Sequence, residues 1–161
     1  MKSGQGLRPL PFFIFIMKHI LSIDLETFSD NDIENGVYKY TDTDNFLILL
    51  CGYAFDDDEV TVIDMASGEK LPDEFLAALT NPDIEKHAFN ASFERVCLSR
   101  YLYGRTDKYL SPEGWWCTQK HAAMYGLPAS LKNVGKVLNL DQQKDTAGKY
   151  LINYFSKPCK E

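Results

Sequence analysis

A chain of 161 residues is one domain's worth, and 45% hydrophobic with 25% charged residues is the profile of a globular protein, not a disordered one. Seventeen basic against 23 acidic residues give a net charge of −6, which argues against a protein that holds nucleic acid by bulk basic charge. An enzyme that grips a strand locally through bound divalent cations stays open, because such ions reverse the local field.

Lys2 and Arg8 precede an apolar run from Leu10 to Ile16, a pattern like the charged and apolar regions of a signal peptide. The apolar part is short and no small-residue cleavage site follows it. Met17-Lys18 then leads straight into a strand pattern. Residues 1–16 are therefore expected to lie outside the fold, as a leader added by a start codon upstream of a natural one at Met17. No stretch reaches the ~20 apolar residues of a membrane span, so no membrane partner is expected and a cytoplasmic location is. The cysteines at 51, 97, 117 and 159 form no C-x-x-C pair, which leaves no zinc-ribbon or redox-dithiol spacing. Cys51 and Cys97 lie in apolar stretches and read as small core residues.

His19 to Glu26 is short, apolar and rich in β-branched residues, which predicts a strand. A polar loop is expected over residues 27–45. Phe46 to Phe55 reads as a buried strand, Asp56 to Glu59 as a turn, and Val60 to Ile63 as a third strand, the three forming an antiparallel meander. Pro72 to Leu79 has the marks of a helix: Pro in the first turn, acids beside it, and apolar residues at 75, 76 and 79. A fourth strand is expected over Ile84 to Phe89. A helix follows, with Asn90 at the cap position and Phe93, Val96, Cys97 and Tyr101 on one face. Trp115 to Thr118 reads as a short fifth strand or loop. Helices are then expected over residues 118–125, 130–138 and 147–155. The order β-β-β-α-β-α gives an α/β fold: a ribonuclease H-like mixed sheet, antiparallel in its first three strands, with flanking helices.

Asp24 and Glu26 stand at i and i+2 near the end of the first strand, so both carboxylates leave the same face and can meet one cation. Hard divalent ions such as Mg²⁺ and Mn²⁺ favour carboxylate oxygen, and like charges so close need a cation to stay ionised together. The spacing also occurs at Asp32/Glu34 and Asp57/Glu59; the apolar strand is what distinguishes Asp24/Glu26. Asn90, Phe93 and Glu94 open the helix after the fourth strand. Taken alone, Asn90 reads as a helix cap and Glu94 as an acid favoured by the helix dipole. Set beside Asp24 and Glu26, Glu94 is a third acid brought to the same strand ends. His87 reads as a strand residue, and Trp115 and Trp116 as core or interface aromatics. Arg95 reads as a phosphate contact or a surface salt bridge. Gly4, Gly6 and Gly68 form no phosphate loop.

Ile23-Asp-Leu-Glu-Thr27 resembles the first exonuclease motif of the DEDD superfamily, and Asn90-Ala-Ser-Phe-Glu94 resembles the second. Gly36-Val-Tyr-Lys-Tyr40, Ala88 to Arg100 and Tyr154 to Lys160 are similar to stretches of the 3′→5′ proofreading domain of family A DNA polymerases, of the bacteriophage and prophage type. The resemblance runs from Met17 to Lys160, and only the combination is specific. It implies that Asp24, Glu26 and Glu94 hold two Mg²⁺ or Mn²⁺ ions and that Thr27, Asn90 and Phe93 hold the 3′ end of a single DNA strand. It also implies a covalently linked polymerase domain as the native partner. The second motif usually carries Asp where Glu94 stands, and the class often shows Asp-Thr where Cys117-Thr118 stands. The third motif, a Tyr or His followed four positions later by Asp, has no counterpart; Asp141, Asp145 and Glu161 match its acid by type only. Residues 17–161 are thus expected to be an exonuclease domain lacking its fourth metal ligand. The alternative is a catalytically dead nucleic-acid-binding or structural fragment.

Overall fold

The computed structural model describes residues 18–141 and 148–156. The expected leader at 1–16, together with Asp145, Cys159 and Glu161, lies outside the described residues.

The sheet has five strands: β1 (Ile20–Phe28), β2 (Leu47–Phe55), β3 (Thr61–Asp64), β4 (Glu85–Ala88) and β5 (Trp115–Cys117), in the order β3-β2-β1-β4-β5. β1 to β3 are antiparallel neighbours, as the meander predicts, and β4 and β5 add in parallel on the other side of β1. Parallel neighbours need crossovers, and these are the helical segments between β3 and β4 and between β4 and β5. The helices are α1 (Val37–Tyr40), α2 (Asp73–Thr80), α3 (Ala91–Tyr103), α4 (Thr118–Met124), α5 (Leu131–Val137) and α6 (Gly148–Phe155).

β1 sorts its side chains by pleat. Leu21, Ile23 and Leu25 are buried on one face, while Ser22 and Asp24 are exposed and Glu26 is half-buried on the other. The dry face meets Cys51 and Phe55 of β2, Phe75, Ala78 and Leu79 of α2, and Cys97 and Leu98 of α3. The opposite face is lined by small or apolar residues: the register sets Ala54 against Ser22, Gly52 against Asp24, Leu50 against Glu26, and Val62 against Gly52. Lys86 of β4 is buried, and its ammonium donates to the carbonyls of Asn81 and Ile84 at 3.0 and 2.7 Å. Burial pushes its pKa down.

The segment read as a polar loop contains α1, which its four residues are too few to announce by periodicity. Tertiary contacts hold it. Tyr40 is buried, Ser29 Oγ donates to the Tyr40 carbonyl at 2.6 Å, and Arg100 of α3 donates to the carbonyls of Thr41 and Thr43 at 2.9 and 3.0 Å. Gly36, at φ 89, makes the turn into it.

Phe75 has no exposed surface, whereas Tyr125 is 84% exposed. Phe75→Ala is expected to cost about 3–5 kcal/mol in urea denaturation, and Tyr125→Ala less than about 0.5 kcal/mol.

Candidate active site

Asp24 and Glu26 leave the open face of β1 near its carboxyl end. Gly52 lies opposite Asp24, so β2 puts no side chain against it. A cleft of about 430 Å³ opens there, lined by Asp24, Gly52, Val62, His87, Phe89 and Thr118 among others. The β1–β2 register breaks between Glu26 and Thr27, a bulge that ends the regular pairing beside the acids.

The second motif reaches the same end of the sheet because β4 runs parallel to β1 and its chain turns directly into α3. That turn is made by Asn90 in the left-handed region, at φ 82 and ψ 51, a conformation Asn tolerates better than most residues. Asn90 holds the N-cap position, as expected, but its side chain makes no capping bond; its carbonyl accepts from the Phe93 amide at 2.8 Å.

Glu94 is only 4% exposed, and its Oε2 is buried without a hydrogen-bond partner. It is not an exposed acid at a helix start. Burial pushes its pKa up to about 8, and the negative charges of Asp24 and Cys117 push in the same direction. Asp24 and Glu94 are therefore close enough to repel. Among the described residues, no group of three His, Cys, Asp or Glu stands ready-made to hold a metal ion. A buried, orphaned carboxylate oxygen beside a second acid is nevertheless the hard anionic donor set that a divalent cation fits.

Cys117 ends β5 where the two helix starts meet. Burial pushes its thiol up, but the backbone N–H groups of Lys120, Ala91, Asn90 and Gln119 outweigh that and hold it below its usual range. Thr118 Oγ1 donates to the Ala88 carbonyl at 3.2 Å, tying α4 to β4.

Thr27 is buried, and its hydroxyl pairs with the Tyr40 hydroxyl at 2.9 Å. Tyr40 in turn lies 5.9 Å, ring to ring, from Phe93. Tyr40 is thus the support linking Thr27 to Phe93. The aromatic spacing in Gly36-Val-Tyr-Lys-Tyr40 was its only signal. Arg95 forms no salt bridge among the described residues: its guanidinium donates to the Leu110 carbonyl at 2.8 Å and the Tyr38 hydroxyl at 3.0 Å. His87 is a strand residue paired with Glu85 at 3.0 Å. Trp115 packs on the core, and Trp116 is exposed beside His121, 5.0 Å away.

The raised pKa of Glu94 makes stability depend on pH in a defined direction. Between about 4.5 and about 8 the folded chain keeps the Glu94 proton while the unfolded chain releases it. The native state then binds more protons, so stability falls as pH rises through that window. In urea denaturation with EDTA, Glu94→Gln is expected to flatten the decline between pH ~5 and ~8 by a few kcal/mol, at ~1.4 kcal/mol per pH unit.

No family profile matches the chain. A "DNA polymerase" of Bacillus phage SP02 is 52% identical over 141 residues, covering 87% of this chain and 21% of that protein. The chain thus spans about a fifth of this relative's length. Brucella melitensis NrnC, solved with bound Mg²⁺, superposes with a TM-score of 0.55 at 19% identity, over 85% of this chain and 61% of that one. The Aedes aegypti Nibbler EXO domain gives 0.54 at 17% identity, over 89% and 68%. Trypanosoma brucei RNase D in complex with RNA gives 0.53 at 19% identity, over 83% and 44%. The chain is thus similar in sequence to about a fifth of a phage DNA polymerase and shares the mixed α/β fold of these solved structures.

Proposed function

We propose that this chain is a divalent-metal-dependent 3′→5′ exonuclease that shortens single-stranded DNA from its 3′ end, natively joined to a polymerase domain that it proofreads for. The domain in this reading begins at Met17. The observation that supports it most is the buried, unpartnered Glu94 carboxylate beside Asp24, in a chain homologous to a phage polymerase.

Asp24, Glu26 and Glu94 are the residues that would hold Mg²⁺ or Mn²⁺, as NrnC holds Mg²⁺ in its own structure. Such ions lower the pKa of a bound water and stabilise the departing oxygen of a phosphodiester. The chain's own part is positioning. Asn90 presents an exposed amide at the left-handed turn, able to hydrogen-bond the terminal nucleotide. Phe93 offers a half-buried ring for a base to stack on. Thr27 reaches the strand only by the small part of it that is exposed, and it steadies Phe93 through Tyr40. The buried walls around Glu94 lower the local dielectric, which strengthens every charge interaction there.

The second reading, a strand-binding domain without catalysis, draws on the absence of a preassembled three-ligand cluster among the described residues. One assay separates the two. With Mn²⁺, a 5′-labelled single strand should shorten stepwise from its 3′ end, EDTA should stop it, and Asp24→Ala should slow it by ~10²-fold or more. Binding without shortening favours the second reading. Shortening that survives Asp24→Ala unchanged rejects the assigned site. Mn²⁺ should also raise the melting temperature of the parent chain more than that of Glu94→Gln, because an ion bound only by the folded state stabilises it.

A further inference from the structure

The larger cleft, about 660 Å³, lies on the other flank of α3, between α1 and the segment leading to β5. Four of its lining residues are Lys or Arg and two are Asp, in a chain whose net charge is −6. A phosphate-bearing strand is repelled by most of such a surface and needs a local reversal of sign.

Two exposed tyrosines form its wall. Tyr38 and Tyr109 meet edge to face, with centroids 5.2 Å apart and ring planes at 77°, so the contact covers only one face of one ring. They are 51% and 44% exposed, far more than buried core aromatics. Arg95 fixes both: one terminal nitrogen donates to the Tyr38 hydroxyl and the other to the carbonyl of Leu110, next to Tyr109. The Leu110 amide is anchored in turn by the buried Ser99 hydroxyl at 2.9 Å. Each tyrosine has a lysine beside it in sequence, Lys39 and Lys108, and no described carboxylate pairs with either ammonium. Arg105, by contrast, is engaged by Asp42 and Asp44.

The cleft adjoins the candidate site through one helical turn. On α1, Tyr38 faces the cleft while Tyr40, two residues on, packs beside Phe93. Held, exposed rings flanked by ammonium groups that no described carboxylate pairs suit unstacked bases on a phosphate backbone; a duplex hides its base faces.

We propose that this cleft is a second subsite for single-stranded nucleic acid, holding nucleotides upstream of the terminal one by stacking on Tyr38 and Tyr109 and by phosphate contacts to Lys39 and Lys108. The inference rests on the exonuclease reading above and adds to it a length requirement on the substrate. Fluorescence anisotropy with Ca²⁺ in place of the activating metal tests it, comparing a labelled dinucleotide with an oligothymidylate dodecamer. The double variant Tyr38→Ala/Tyr109→Ala should lose about tenfold or more in dodecamer affinity, and less than about twofold for the dinucleotide, which is too short to reach. Lys39→Glu/Lys108→Glu should make the salt dependence of dodecamer binding shallower by about 1.4, at ~0.7 per phosphate contact. Tyr38→Phe keeps the ring and should retain most of the affinity, which separates stacking from loss of the Arg95 bond. An equal loss for both ligands, no loss for either, or displacement by an acidic peptide as effective as by oligonucleotide each overturns the proposal. If the parent chain binds neither ligand, the exonuclease reading falls and the subsite with it; loss of length dependence alone overturns only the subsite.

Discussion

Leu21, Ile23 and Leu25 are almost excluded from water on one face of β1, and everything at the candidate site is referred to that burial. A slip of one residue would drive Ser22, Asp24 and Glu26 into the core and expose three large aliphatic side chains. Burying them stabilises by roughly 1.5–3 kcal/mol each, so the register is fixed by the core and not by the acids. The acids are carried passively to the opposite face, where Gly52 leaves room in front of Asp24. The parallel pairing of β4 then determines where α3 starts, and with it where Glu94 lies.

Glu94 is the costly element of this arrangement. A carboxylate with almost no contact with water and an unpartnered oxygen destabilises the fold whenever it is charged. Its neighbours make the charge harder to bear: Asp24 repels it, and so does Cys117, whose sulfur is favoured as an anion by amides from two helix starts. Groups that oppose one another in this way would each be favoured by a positive charge placed among them. α3 holds the backbone of Glu94 in the core layer through Val96, Cys97 and Leu98.

The five strands, their order of appearance and most of the helices were legible because their signals are local: apolar runs of strand length, a Pro-acid helix start, one-faced apolar spacing. α1 was not, since four residues carry no period and its stability comes from Tyr40 and Arg100, distant partners that no window contains. The cap position of Asn90 was readable, but its left-handed backbone and idle side chain were not, because its residue type serves equally in a capping bond and in a left-handed turn. For Arg95 the sequence displays only charge, and its partners within the fold, a carbonyl and a hydroxyl, are announced by no local pattern. The pairing of Asp24 with Glu26 was readable from strand geometry, and Glu94 was expected at the same strand ends from its helix-start placement; the parallel pairing of β4 with β1 is what the sequence could not supply.

Arg100 joins the β1–β2 connection to α3 through two carbonyls, those of Thr41 and Thr43, and only a planar, multi-donor group spans both at once. That ties residues 29–45 to α3 although the two are distant in the chain. Because the acceptors are main-chain carbonyls, the tie asks nothing of the side chains at 41 and 43 and everything of the guanidinium at 100. Sequence drift in the connection is thus tolerated by this link, whereas loss of Arg100 leaves two carbonyls without their donor.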